Sequence, residues 1–142
     1  MPGLYDKIGL QFQYPDNWVI DEGESQETRA SVTVYSPEGG FWSVTVHPHD
    51  EEPANLAAAA VTAMREVYEQ LDAEPEFSVI AGHEAEGFEM NFYCLDLTNT
   101  AVVQSFRGPH AAYVVFWQAE DREYARIAPV FAAMVQSLRV EG

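Results

Sequence analysis

The segment His47-Pro48-His49-Asp50-Glu51-Glu52 gathers two imidazoles and three carboxylates within six residues. Imidazole nitrogen and carboxylate oxygen together suit zinc or a similar divalent ion. If His47 ends a strand, His47 and His49 point the same way and Asp50 follows as a third ligand. His83 would add a fourth only if the fold brings it near. The spacing matches no established metal motif. The competing reading is a solvated acidic loop in which one histidine pairs with a carboxylate.

Cys94 is the only cysteine. A nucleophilic thiol needs a neighbouring base and a lowered pKa. Cys94 instead continues the apolar series Phe88, Met90, Phe92, so a packed thiol is expected. Ser105, Ser137, His83 and His110 form no recognisable triad. Gly39-Gly40 reads as a hairpin turn rather than a phosphate loop. Carboxylate pairs for glycoside chemistry cannot be singled out, because nearly every surface stretch carries two. The remaining candidate is apolar. Tyr35, Phe41, Tyr93, Leu95 and Leu97 occupy strand positions opposite those that point inward. With both sheet faces covered they are core. With one face open they form a platform for a partner or a small ligand.

The elements that position these residues are legible from periodicity. The stretch from Gly87 to Ala119 reads as a three-strand antiparallel meander. In its first run Phe88, Met90, Phe92 and Cys94 alternate with Glu89, Asn91 and Tyr93. Thr98-Asn99-Thr100 and Gly108-Pro109 supply the turns. Tyr113 to Trp117 is apolar on both faces, which predicts a central strand covered on both sides. Upstream, Gly9–Tyr14, Arg29–Ser36 and Phe41–His47 read as strands, with an exposed acidic loop over residues 21 to 27. Ala54–Leu71 reads as a helix with a Leu56, Ala60, Met64, Val67, Leu71 stripe. Phe77–Ile80 reads as a short strand. A second helix from about Asp121 to Leu138 is expected to kink or divide at Pro129. The order predicts an α+β fold, helices against an antiparallel sheet.

Bulk properties exclude more than they select. A chain of 142 residues is expected to form one domain, residues 1 to 142. No apolar run approaches the roughly 20 residues of a membrane span, and no signal peptide is visible. A lone cysteine points to a reducing, cytoplasmic setting. Twenty-three acidic residues stand against seven basic ones, a net charge of -16. That surface repels nucleic acid and anionic lipid and favours basic partners or cations.

Tyr14-Pro15-Asp16-Asn17-Trp18, an Ala-rich helix, the segment Ala81-Gly82-His83-Glu84-Ala85, the meander and a final helix ending in Gln136-Ser137-Leu138 follow one another. That layout resembles the PsbP-like superfamily. The group includes the photosystem II extrinsic protein, the nuclear Ran-GTPase release factor, bacterial DcrB-like proteins and small chaperones of type VI secretion effectors. The resemblance implies an α/β/α sandwich and a role in binding rather than catalysis, and it carries over no active site. The expectation is a non-enzymatic binding or accessory protein, chaperone-like in one version, that meets a protein partner through a sheet face and acidic loops. The alternative is a metal-binding protein or metal-dependent enzyme using His47, His49 and Asp50. Homodimerisation through an open sheet edge or face fits the pattern, although no residue demands it.

Overall fold

The structure, a computed structural model, describes residues 2–22 and 30–142. In chain order the elements are β1 (Gly3–Lys7), β2 (Leu10–Tyr14), β3 (Val19–Asp21), β4 (Ala30–Tyr35), β5 (Phe41–His47), α1 (Pro53–Val67), β6 (Asp72–Ile80), β7 (His83–Cys94), β8 (Leu97–Arg107), β9 (Ala112–Glu120), α2 (Asp121–Ser137) and β10 (Arg139–Val140). Two sheets result, a seven-stranded one in the order β3-β4-β5-β9-β8-β7-β6 and a three-stranded one in the order β1-β2-β10. Every pairing among the described residues is antiparallel. The strand whose sequence is apolar on both faces, β9, is the middle strand of the seven.

Each face of the large sheet has its own core. On one face, Met90, Phe92, Ala101 and Val103 pack under Ala57 and Val61 of α1. On the other, Val34, Trp42, Val44, Phe106, Tyr113 and Val115 meet α2 and the small sheet. Phe12 of the small sheet sits 4.8 Å from the Trp42 ring and 5.0 Å from the Tyr5 ring. The resulting α/β/α arrangement matches the fold class read from the sequence.

Local chemistry explains the ends of α2. The Glu120 side chain accepts hydrogen bonds from the Arg122 and Glu123 amides at 3.0 and 3.3 Å. Asp121 and Glu123 add negative charge to the first turn, where the helix dipole favours it. At the other end the Gln13 amide donates to Ser137 Oγ at 2.9 Å, tying the helix to β2. The helix runs through Pro129 as one element instead of dividing there.

Several boundaries differ from the sequence reading. β1, β3 and β10 are added, and β6 runs nine residues instead of four. The first helix stops at Val67 rather than Leu71. The turn expected at Thr98-Asn99-Thr100 is strand. The chain reverses instead at Leu95-Asp96, both with positive φ, 53° and 64°. The same two-residue geometry recurs at Ile8-Gly9 and Ala81-Gly82. Of the acidic loop expected over residues 21 to 27, residues 23 to 27 lie outside the described residues, as does Arg29. Asp21 ends β3, and Glu22 pairs with Lys7 at 2.8 Å.

Candidate functional site

The histidine candidates divide between the two faces of the sheet. His47 closes β5 opposite Ala112, in line with Arg107, on the side that carries α1. Its Nδ1 lies 3.4 Å from Glu51 Oε2. Arg107 crosses the following loop, donating to the His49 and Glu51 carbonyls at 3.0 and 3.2 Å. His49 and Asp50 sit exposed in the turn that this bracing spans. His83 opens β7 on the opposite face, its ring stacked 5.9 Å from Phe106. A sheet therefore separates His83 from His47. Among the described residues no group of three or more His, Cys, Asp or Glu side chains is placed to hold a metal ion. Cys94 is half-buried beside Tyr68. Burial, and then the neighbouring thiol, push the Tyr68 hydroxyl above its ordinary pKa.

The apolar candidates divide too, and the division defines a surface. Tyr93 pairs with Thr98 on the α2 side of the sheet. Leu95 stands in the hairpin turn, 92% exposed. Leu97 lies on the α1 side but at the tip of the β7–β8 hairpin. Tyr35 and Phe41 remain together as cross-strand partners on the α1 side. Their rings are 6.1 Å apart, and Phe41 stacks on Phe116 at 5.8 Å with planes 10° apart. Val19 pairs with Tyr35 and extends the row to the sheet edge.

This row is open because α1 is offset. The helix packs on β7, β8 and β9, and among the described residues the α1-side positions of β3, β4 and β5 are half-buried or exposed. Val19 is 66% and Tyr35 41% exposed, with Phe41 and Phe116 half-buried. Thr33 and Ser43 fill the next positions along β4 and β5. The result is an aromatic shelf walled on one side by α1. Tyr35 and Phe41 were visible from the sequence. Phe116 and Val19 were not, since only the strand order shows that they join the same face.

The opposite face is open at the opposite edge. There Glu74 and Glu76 of β6 line up with Glu89 of β7, and Glu74 directly faces Glu89. Burial first, and then Glu89, hold the Glu76 carboxyl above the ordinary 4.5. The folded chain therefore binds this proton more tightly than the unfolded chain does. The stability it contributes is complete below 4.5 and is lost as pH rises through the folded value. Glu76→Gln keeps the shape and removes the charge. It is expected to raise Tm at about pH 7 and to flatten the fall in Tm between about pH 4 and pH 7. Thermal melts at both pH values check this, and a variant melting no higher than the parent at neutral pH would contradict it.

One further apolar hollow of about 310 Å³ lies between the Tyr14-Pro15 turn and α2, floored by Met134 and edged by Pro129. No helix among the described residues is long and apolar enough to cross a membrane.

No family model matches the chain, and no curated protein matches it in sequence. Solved structures do match. The cyanobacterial PsbP (CyanoP) of Synechocystis sp. PCC 6803 superposes with a TM-score of 0.70 over 98% of this chain and 92% of that one, at 11% identity. LpqN, involved in cell envelope biogenesis of Mycobacterium tuberculosis, gives 0.59 over 100% and 90%, at 13% identity. PA94 of Pseudomonas aeruginosa, a protein of unknown function, gives 0.55 over 96% and 94%, at 12% identity. The chain has a PsbP-like fold. At these identities the likeness concerns the fold alone.

Proposed function

We propose that this chain is a non-enzymatic binding module, acting as a single cytoplasmic domain. Its docking surface is the shelf of Val19, Tyr35, Phe41 and Phe116. The observation that carries the reading is the offset of α1, which leaves Val19 and Tyr35 exposed beside the half-buried Phe41–Phe116 stack. Exposed aromatic surface costs hydration free energy that a partner can relieve, and aromatic side chains are enriched at interface centres. The occupant is an apolar segment of another protein flanked by basic residues. Apolar chemistry follows from the shelf, and basic flanks follow from a net charge of -16, which attracts cations over distances near a Debye length. The PsbP-like fold supports a binding role by analogy.

Photocrosslinking tests the location. A benzophenone side chain in place of Tyr35 is expected to trap a protein partner in the source cells. The same group in place of Tyr93, also exposed but across the sheet, is expected to trap none. Equal trapping at the two positions, or trapping at Tyr93 alone, would remove the shelf as the docking surface.

A further inference from the structure

The edge strand β6 is protected along only half its length. Its first half, Asp72-Ala73-Glu74-Pro75-Glu76, carries three carboxylates and a proline. Those residue types block edge-to-edge pairing, and proline belongs at an edge because it lacks the N–H a neighbour would need. The second half, Phe77-Ser78-Val79-Ile80, carries neither. Phe77 is 77% and Val79 68% exposed, both on the α1 side of the sheet, where the helix leaves them in water. The other edge of the large sheet, β3, is three residues long and offers little to pair with.

We propose that β6 pairs with β6 of a second copy, antiparallel about a two-fold axis at Ser78, joining two seven-stranded sheets into one. The register follows from side chains. Centring on Ser78 sets Phe77 of each copy opposite Val79 of the other. Cross-strand partners share a face, so two Phe–Val pairs cover one another on the α1 side. Glu76 then faces Ile80 of the second copy and Glu74 faces Gly82, so no carboxylate opposes a carboxylate. Sliding the centre to Glu76 sets Glu76 against Glu76, which like-charge repulsion opposes. Sliding it to Val79 leaves Phe77 opposite Ala81 and loses both mixed pairs. The contact is isologous, as a closed dimer requires. It is small beside the roughly 800 Å² per partner of a standard interface, so the expected dissociation constant is about micromolar. Each copy carries a charge of -16, and Glu74, Glu76 and Glu89 on one face, with Glu84 and Glu86 beside Val79 and Phe77 on the other, lie near the seam. Salt screens that repulsion, so this dimer strengthens as salt rises, unlike an association driven by opposite charges. The seam and the aromatic shelf occupy opposite edges of the sheet, so each can fail without the other.

Sedimentation velocity on the full chain, from about 1 to 100 µM, reads the assembly. The expected species has twice the 15.9 kDa chain mass and becomes more abundant on adding salt. The double variant Phe77→Lys, Val79→Lys, made at two exposed positions that face Glu86 and Glu84 of β7 within the monomer, sets lysine against lysine across the seam and is expected to sediment at the chain mass with unchanged circular dichroism. Ser78→Cys in a Cys94→Ala background tests the register, because it brings two thiols together on the axis. Mild oxidation should link most of that variant, whereas Glu76→Cys in the same background should stay unlinked. A chain-mass species across the whole concentration and salt range overturns the proposal. So does a dimer unaffected by the double substitution, or one that crosslinks through position 76 and not 78.

Discussion

Gly87→Ala is expected to lower the unfolding free energy by about 3 kcal/mol or more, with Tm falling by roughly 10 °C. Gly87 lies on β7 opposite Gln104 of β8. A Cβ at this position would stand 1.8 Å from the Val103 carbonyl oxygen, 2.7 Å from its carbon and 3.1 Å from the Gln104 Cα. All three obstacles are backbone, so no side-chain rotation relieves the contact. The two strands must part where they are also held by side chains. Gln104 reaches across β7, accepting from Ser78 Oγ at 2.7 Å and donating to the Glu76 carbonyl at 3.0 Å. Parting β7 from β8 therefore also loosens β6. Against a total stability of about 5–15 kcal/mol for a domain this size, the loss is large. Urea unfolding of parent and variant measures it, and a midpoint within experimental scatter of the parent would show that the strands are not so closely apposed.

The second large effect is expected at Phe12. Its side chain is fully buried between the two sheets, against Tyr5, Tyr14 and Trp42. With Tyr5 and Leu10 it forms the buried face of the small sheet that packs on the large one. Truncation removes the transfer free energy of the ring and leaves a cavity that three rigid aromatic neighbours cannot fill. Phe12→Ala is expected to cost about 3–5 kcal/mol. Phe12→Leu retains most of the volume and should cost less than half as much. The same urea experiment reads both. Equal losses in the two variants would mean that ring stacking rather than volume supports the joint, and a negligible loss in Phe12→Ala would mean that the sheets are held elsewhere.

Much of this architecture is legible in the sequence, and its gaps have physical causes. The two-sided apolar run from Tyr113 to Trp117 does identify the middle strand, because only a strand covered on both faces can carry it. The alternation of Phe88, Met90 and Phe92 gives the correct face of β7. The Leu95-Asp96 turn was missed because left-handed conformations usually call for Gly or Asn, and this pair offers neither. β1 was missed because five residues with one buried side chain, Tyr5, make no detectable period. β10 is shorter still, two residues held by pairing with β2.

The candidate site was half legible for a different reason. Alternation within a strand tells which residues share a face, but not which face of the whole sheet that is. Tyr35 and Tyr93 both point away from their own strand's inward residues, yet the register sends them to opposite sides. Likewise His47 and His83 read as neighbours in chemistry and lie on opposite sides of the sheet. Strand order, which decides both questions, depends on contacts between residues far apart in the chain.

The central claim is that the open aromatic shelf carries the partner. Affinity capture of the tagged full chain from its source cells, beside the double variant Val19→Thr, Tyr35→Thr, tests it most directly. Both positions are exposed cross-strand partners and threonine suits a strand, so the variant should keep the parent's circular dichroism. The expected result is a stoichiometric protein that the parent retains through a high-salt wash and the shelf variant loses, with Phe77→Lys retaining it. A partner held equally by parent and shelf variant would place the interaction away from the shelf, and one released from both by salt alone would place it on the acidic surface; either result contradicts the shelf as the docking surface.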